Sequence, residues 1–160
     1  MLDTNDYLFF TKVAEMDIDK LKILKQRLEN SIAWQGFGIF EQANEKLIYY
    51  CWLNKQSNYY VKEFYKTLSF NTDEILFEDD FTLPEYRGRG LHRYAMYQRL
   101  KYCSEQNIDT AYIIIECGNT PALKTIHDFG FKKKTVNPFT YRKGSVRESF
   151  YLLRKKIISH

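Results

Sequence analysis

A mixed α+β fold is what this chain predicts, and three observations carry it. Short runs of aromatic and β-branched residues, such as Leu47-Ile48-Tyr49-Tyr50-Cys51-Trp52-Leu53 and Ala111-Tyr112-Ile113-Ile114-Ile115, read as strands. Other segments carry apolar residues at helical spacing and are bounded by caps and breakers. Between the apolar run ending in Phe81-Thr82-Leu83 and a helical stretch near Arg93 lies Pro84-Glu85-Tyr86-Arg87-Gly88-Arg89-Gly90-Leu91-His92, which reads as strand, tight glycine loop, helix start. The 160 residues hold no internal repeat, low-complexity tract or linker, so one domain over 1–160 is expected.

In chain order, residues 7–13 form an aromatic-rich apolar run and predict a first strand. Residues 17–29 place Ile18, Leu21, Leu24 and Leu28 at helical spacing, with Asp17 or Asp19 as the cap. Residues 36–40 and 47–53 flank the polar stretch 41–46 and predict a hairpin. Residues 59–68 read as a short helix or a loop. A strand over 74–83 follows, carrying the acidic triplet Glu78-Asp79-Asp80, and then a helix over 92–106 with Leu91, Ala95, Met96, Leu100 and Cys103 on one face. After the strand 111–116, Pro121 suits a first helical turn because its missing N–H costs nothing there, and Gly130 ends that helix. Residues 131–136 and 149–155 predict two last strands joined by a connection over 137–144.

Composition narrows the function classes. The chain is 44% hydrophobic and 28% charged, with no apolar run near the ~20 residues of a membrane span. Its first residues are acidic and polar where a secretory signal would be basic and then apolar, so a cytoplasmic protein is expected. Three widely spaced cysteines, Cys51, Cys103 and Cys117, fit neither a disulfide framework nor a zinc site, and predict reduced, packed thiols and no metal. A net charge of +4 does not call for nucleic acid or membrane as partner. Most of the 13 Tyr and 12 Phe must be core, while Trp34, Tyr49, Tyr50, Trp52, Tyr59 and Tyr60 are candidates to stack on a sugar or base.

The glycine loop is suited to phosphate. Glycines let backbone approach a ligand closely, and the first N–H groups of a helix lack internal partners and carry partial positive charge. Arg87 and Arg89 add fixed cations. Downstream stand Asn119-Thr120-Pro121-Ala122 and Phe129-Gly130-Phe131. Together the two segments resemble the acyl-CoA-binding motif and the following Asn-x-x-Ala…Gly-Phe motif of the GNAT superfamily of acyl-CoA-dependent N-acyltransferases.

The resemblance implies a layered α/β/α form of α+β fold, with a mixed, mostly antiparallel central sheet splayed at the acyl-CoA site. It implies acetyl-CoA as donor cosubstrate, with the pantetheine arm on the backbone of Phe81, Thr82 and Leu83. The pyrophosphate would lie on the amides of Arg87, Gly88, Arg89, Gly90, Leu91 and His92, with Asn119 on pantetheine or capping its helix. Lys124 and Lys101 are candidates for the outer phosphate. His92 stands where the family pattern has Gly or Ala. Its imidazole either points outward or lies beside the phosphates or the acceptor.

Acyl transfer needs a free amine, and a carboxylate near the splay is the family's usual means of removing the proton. Asp79 and Glu116 are the leading catalytic candidates, with Glu78 and Asp80 behind them. Glu74 matches the base of the histone-acetylating branch by its offset from Arg87. Where many members carry a general-acid Tyr, seven residues after the motif Asn, this chain has Ile126.

The expected function is therefore transfer of an acetyl group from acetyl-CoA to a primary amine of a small molecule, with a homodimer as the default assembly. The run Asp80 to Gly90 is similar to GNAT proteins associated with bacterial surface-polysaccharide assembly, which points to an amino sugar. An amino acid, a polyamine or a protein amine stays open, as does a non-catalytic acyl-CoA sensor.

Overall fold

The computed structural model describes residues 1–13, 17–61, 65–134, 139–143 and 146–157. The chain forms two compact units, Met1–Lys55 with Glu78–Gln98, and Gln56–Phe77 with Arg99–His160.

The first unit opens with a reciprocal cap. The Asp3 carboxylate accepts from the Asn5 N–H at 2.7 Å and the Asp6 carboxylate accepts from the Asp3 N–H at 2.8 Å, starting a 3₁₀ turn over Thr4–Asp6. The chain runs on into helix α1, Tyr7–Thr11, where the sequence predicted a strand. The correction has a local cause: the cap nucleates the turn, which is the costly step of helix formation, and this outweighs the strand preference of Tyr-Leu-Phe-Phe. Phe10 is then fully buried, edge-on to Tyr50 at 5.2 Å, and Phe9 meets Phe40 at 4.8 Å. Ring pairs of this kind add ~0.5–1.5 kcal/mol each beyond their burial.

Helix α2, Ile18–Glu29, starts at Asp17, whose carboxylate accepts from the Lys20 N–H, so Asp17 rather than Asp19 is the cap. The expected hairpin is present as strands β1, Trp34–Glu41, and β2, Lys46–Asn54, with a register shift between Ile39 and Phe40. Strand β5, Glu74–Thr82, lies next to β2, and the Leu83 N–H donates to the Ile48 carbonyl. The first part of helix α3, Leu91–Glu105, completes this unit.

In the second unit, where the sequence predicts a short helix or a loop over 59–68, the described residues on either side of 62–64 are strands. Strands β3, Asn58–Val61, and β4, Lys66–Ser69, pair antiparallel. Val61, Leu68 and Phe70 pack with Leu76, Tyr112 and Leu152, and this burial decides a segment that has no clear local preference. Strand β5 pairs parallel with β6, Thr110–Glu116, over Glu74–Phe77 only. Strand β6 in turn pairs antiparallel with β9, Val146–Lys156. Two more strands lie on β9: β7, Lys132–Lys133, and β8, Phe139–Lys143. The sequence predicted a strand over 131–136 and a connection over 137–144. Residues 135–138, 144 and 145 lie outside the described residues, and 139–143 is strand. The eleven residues of β9 need partners for both ends, and β8 supplies them for Val146–Phe150.

Helix α4, Thr120–Asp128, has Pro121 in its first turn and Gly130 beyond its end, as expected. None of the three cysteines forms a disulfide; Cys51 and Cys103 are buried and Cys117 is partly so. The fold class is thus mixed α+β with a mostly antiparallel sheet in which β5 and β6 pair parallel.

Candidate functional site

The glycine loop has the form the sequence predicts. A 3₁₀ turn over Pro84–Tyr86 ends β5, and Gly88 and Gly90 follow with φ of 75° and 78° before α3 begins at Leu91. A Cβ added at either glycine would meet no atom within 4 Å, so conformation rather than crowding requires them, and the space above the loop is open. The Tyr94 N–H donates to the Gly90 carbonyl at 3.0 Å, and helix geometry gives the N–H groups of a first turn no carbonyl four residues back within the helix.

The two arginines brace this loop. Arg87 Nε donates to the Thr82 carbonyl at 3.2 Å, and an Arg89 guanidinium nitrogen donates to the Glu85 carbonyl at 3.1 Å. Arg89 also lies over the Tyr86 ring at 4.8 Å. Lys46 and Glu85 join at 2.7 Å, raising the lysine pKa and lowering that of the glutamate through their hydrogen bond. Leu83 is buried, and its N–H and carbonyl already bond Ile48 and Tyr86. Phe81 and Thr82, half-buried, lie just before it.

Asp79 sits inside β5 with φ of 57°, the left-handed region. This breaks the alternation of the strand. Consecutive side chains of a regular strand face opposite sides, yet Glu78 and Asp79 here share one partner, Arg27, at 3.4 and 2.6 Å. Lys20 Nζ binds both Asp79 oxygens at 2.5 and 2.6 Å. Arg27 is 10% exposed at its side chain and stacks over Trp34 at 4.2 Å and Trp52 at 5.6 Å. Burial, followed by the nearby negative charge of Asp79, pushes the Tyr50 phenol far up, so it stays protonated.

Asp80 turns the other way. Its Oδ1 accepts a short hydrogen bond from the Tyr49 hydroxyl and lies 3.7 Å from His92 Nε2 in the first turn of α3. Sequence reasoning missed Lys20, Arg27 and Tyr49 as partners of the triplet. No local signal marks them, since they are 31 to 59 residues away.

The remaining charged and amide candidates belong to the second unit. Glu116 is exposed at the end of β6, and its carbonyl accepts from the Asn119 N–H at 3.0 Å. Asn119 caps α4, its side chain accepting from the Ala122 N–H at 3.2 Å. Lys124 and Lys101 are exposed. Ile126 is fully buried and His127 exposed, so neither offers a phenol's role. Glu74 accepts from Tyr112 Oη at 2.6 Å and has no cation clamp like that on Asp79 among its closest bonds. Of the aromatic set, Trp34, Tyr49, Tyr50 and Trp52 are core, while Tyr60 is exposed. Among the described residues no three His, Cys, Asp or Glu side chains converge as a metal site, and no helix is long and apolar enough to cross a membrane.

No protein-family model matches the chain, and no curated protein matches it in sequence. Solved structures do. The ribosomal-protein-S18-alanine N-acetyltransferase of Escherichia coli is 15% identical with a TM-score of 0.71, covering 98% of this chain and 90% of its own. The spermidine N-acetyltransferase of Vibrio cholerae in complex with CoA and spermine is 15% identical with a TM-score of 0.71, covering 99% and 94%. A dodecameric structure of the Vibrio cholerae spermidine enzyme is 15% identical with a TM-score of 0.69, covering 97% and 90%. The chain has the fold of these N-acetyltransferases, which is the fold its GNAT-like motifs predict.

Proposed function

We propose that this protein is an N-acetyltransferase of the GNAT type, and that residues 1–160 form one such domain. It moves the acetyl group of acetyl-CoA to a primary amine of a small molecule. The observation that carries this reading is the open glycine loop at the start of α3, with both glycines left-handed and both arginines folded back as braces. The pyrophosphate rests on the amides of Arg87, Gly88, Arg89, Gly90, Leu91 and His92, where partial positive charge and absent side chains favour it. The pantetheine arm follows the backbone of Phe81, Thr82 and Leu83, chiefly the first two because Leu83 is already bonded within the fold. Asn119 and Lys124 are retained as candidate CoA contacts, and Asp79 and Glu116 as candidate catalytic carboxylates.

An amino sugar is the first acceptor to test, consistent with the surface-polysaccharide resemblance of the run from Asp80 to Gly90. The triplet carboxylates Glu78 and Asp79 are already met by Lys20 and Arg27, so a polycation gains less there than a neutral, hydroxyl-bearing amine. Spermidine and a peptide N-terminus, the latter suggested by the S18-alanine enzyme, serve as competing arms. A cytoplasmic location and self-association complete the proposal.

The test is release of CoA thiol from acetyl-CoA with each amine, beside a thermal shift with CoA. Gly90→Val should abolish the thermal shift, since a β-branched residue at φ near 78° is strained by ~1–2 kcal/mol or more and covers the amides. Micromolar CoA affinity in a folded Gly90→Val protein would place the phosphates elsewhere. CoA binding without thiol release from any amine would favour the sensor reading.

A further inference from the structure

We propose that His92 takes the proton from the attacking amine, held in place by Asp80, which Tyr49 holds in turn; this rests on the acetyl-transfer reading above. The observations are geometric. His92 follows the glycine loop directly and stands in the first turn of α3, beside the amides proposed to hold the donor. Its side chain is 26% exposed, enough to reach a ligand while one nitrogen stays in the fold. That nitrogen, Nε2, lies 3.7 Å from Asp80 Oδ1, the same oxygen that accepts from the Tyr49 hydroxyl. Tyr49 is buried with Cys51 and Ala95, so the carboxylate is anchored from the core and the imidazole is oriented from the carboxylate.

The neighbouring carboxylates are placed for different work. Asp79 accepts from Lys20 on both oxygens and from Arg27 on one, and Glu78 meets Arg27. A carboxylate bonded in this way has its charge already compensated and makes a poor base. Asp80 lies against a hydroxyl and, at ion-pair distance, an imidazole, so its charge favours the imidazolium that forms when His92 takes a proton.

The step balances as follows. The free amine nitrogen bonds to the acetyl carbon, the C–S bond breaks, and the electron pair leaves on the CoA sulfur as thiolate. The surplus N–H proton passes to Nδ1 of His92, leaving an imidazolium whose charge Asp80 offsets. The imidazolium then returns the proton to the thiolate or to solvent. Asp80 on β5 lies 3.7 Å from the ring and its negative charge favours the imidazolium; the Tyr49 phenol shares its Oδ1, and Arg87, Arg89 and Arg93 are the cations nearest along the chain.

The experiment has two parts. Titration of the His92 ring by NMR in the ligand-free protein should give a pKa that falls when Asp80→Asn removes the carboxylate; an unmoved titration overturns the proposed pairing. Rates with acetyl-CoA and the best amine of the panel should show an acid limb on kcat/KM that His92→Gln abolishes. That variant should lose ~10²–10³-fold in kcat, while KM for acetyl-CoA stays within about threefold. Asp80→Asn should retain more activity than His92→Gln, with the acid limb moved to lower pH. An intact acid limb and rate in folded His92→Gln would overturn the role of His92 and leave acetyl transfer standing. Absence of thiol release from every amine in the wild-type protein would overturn acetyl transfer itself, and the base with it.

Discussion

Strand β5 carries carboxylates at both ends, and their surroundings differ. At its start Glu74 accepts from Tyr112 Oη at 2.6 Å and from the Asn71 N–H at 2.9 Å, in a stretch where β5 is paired with β6. Near its end Glu78, Asp79 and Asp80 lie past the last residue paired with β6, Phe77, and gather partners from α2, β2 and α3. Burial works against the charge on Glu74, but the Tyr112 hydroxyl, the Asn71 N–H and the charges of Lys134 and Lys156 together outweigh it and lower its pKa. Tyr112 is pushed up to about 12, by burial first and by its bond to Glu74 second. One end of the strand thus holds its acid with neutral donors at hydrogen-bond distance, and the other meets Glu78 and Asp79 with cations and Asp80 with a hydroxyl and an imidazole. Acid residues of one type on one strand acquire different work from the partners brought to them.

Arg27→Met tests the cation end most severely. The substitution keeps much of the stacking volume against Trp34 and Trp52 but strips charge compensation from two largely buried acids, and should cost ~3 kcal/mol by urea unfolding at unchanged m. A loss under ~1 kcal/mol would mean that Lys20 alone suffices, and the contrast between the two ends would shrink.

Asp79 separates charge from backbone. Asp79→Ala and Asp79→Gly both delete the carboxylate, yet Gly should be the more stable by ~1 kcal/mol because only it takes φ near 57° without strain. Equal stabilities would show that the strand straightens when the carboxylate is lost.

The smallest effect is expected at the neutral end. Tyr112→Phe should cost ~1 kcal/mol at neutral pH, one hydrogen bond to a partly exposed acid. Because the folded pKa of Glu74 is depressed, its contribution is fully present above the ordinary glutamate value and is lost as pH falls through the folded one. The difference between variant and wild type, followed by thermal unfolding from pH 7 to pH 3, should therefore narrow toward acid. A constant difference would assign the effect to packing.

Much of this layout was legible in the chain. The β1–β2 hairpin, β5, β6 and helices α2, α3 and α4 follow from period, caps and breakers, and the loop at 87–90 from its two glycines. Three readings failed for identifiable reasons. The Asp3 cap made a helix of an aromatic run that reads as strand, burial of Val61 and Leu68 made strands of Asn58–Val61 and Lys66–Ser69, and the length of β9 called up β8. In α3 the fully buried Arg99, 4.6 Å over the Phe77 ring, sits where periodicity alone would place an apolar residue.

The sequence by itself determined where a helix would start behind a glycine-containing, cationic loop, because glycine conformations and helix-end N–H groups are properties of a few consecutive residues. It also supplied the acids, the histidine and the tyrosines. Which acid meets which partner was decided only by tertiary structure. The left-handed turn at Asp79 sends Glu78 and Asp79 to Arg27 and leaves Asp80 to Tyr49 and His92, and pairings across 12 to 59 residues depend on how elements pack rather than on any local preference.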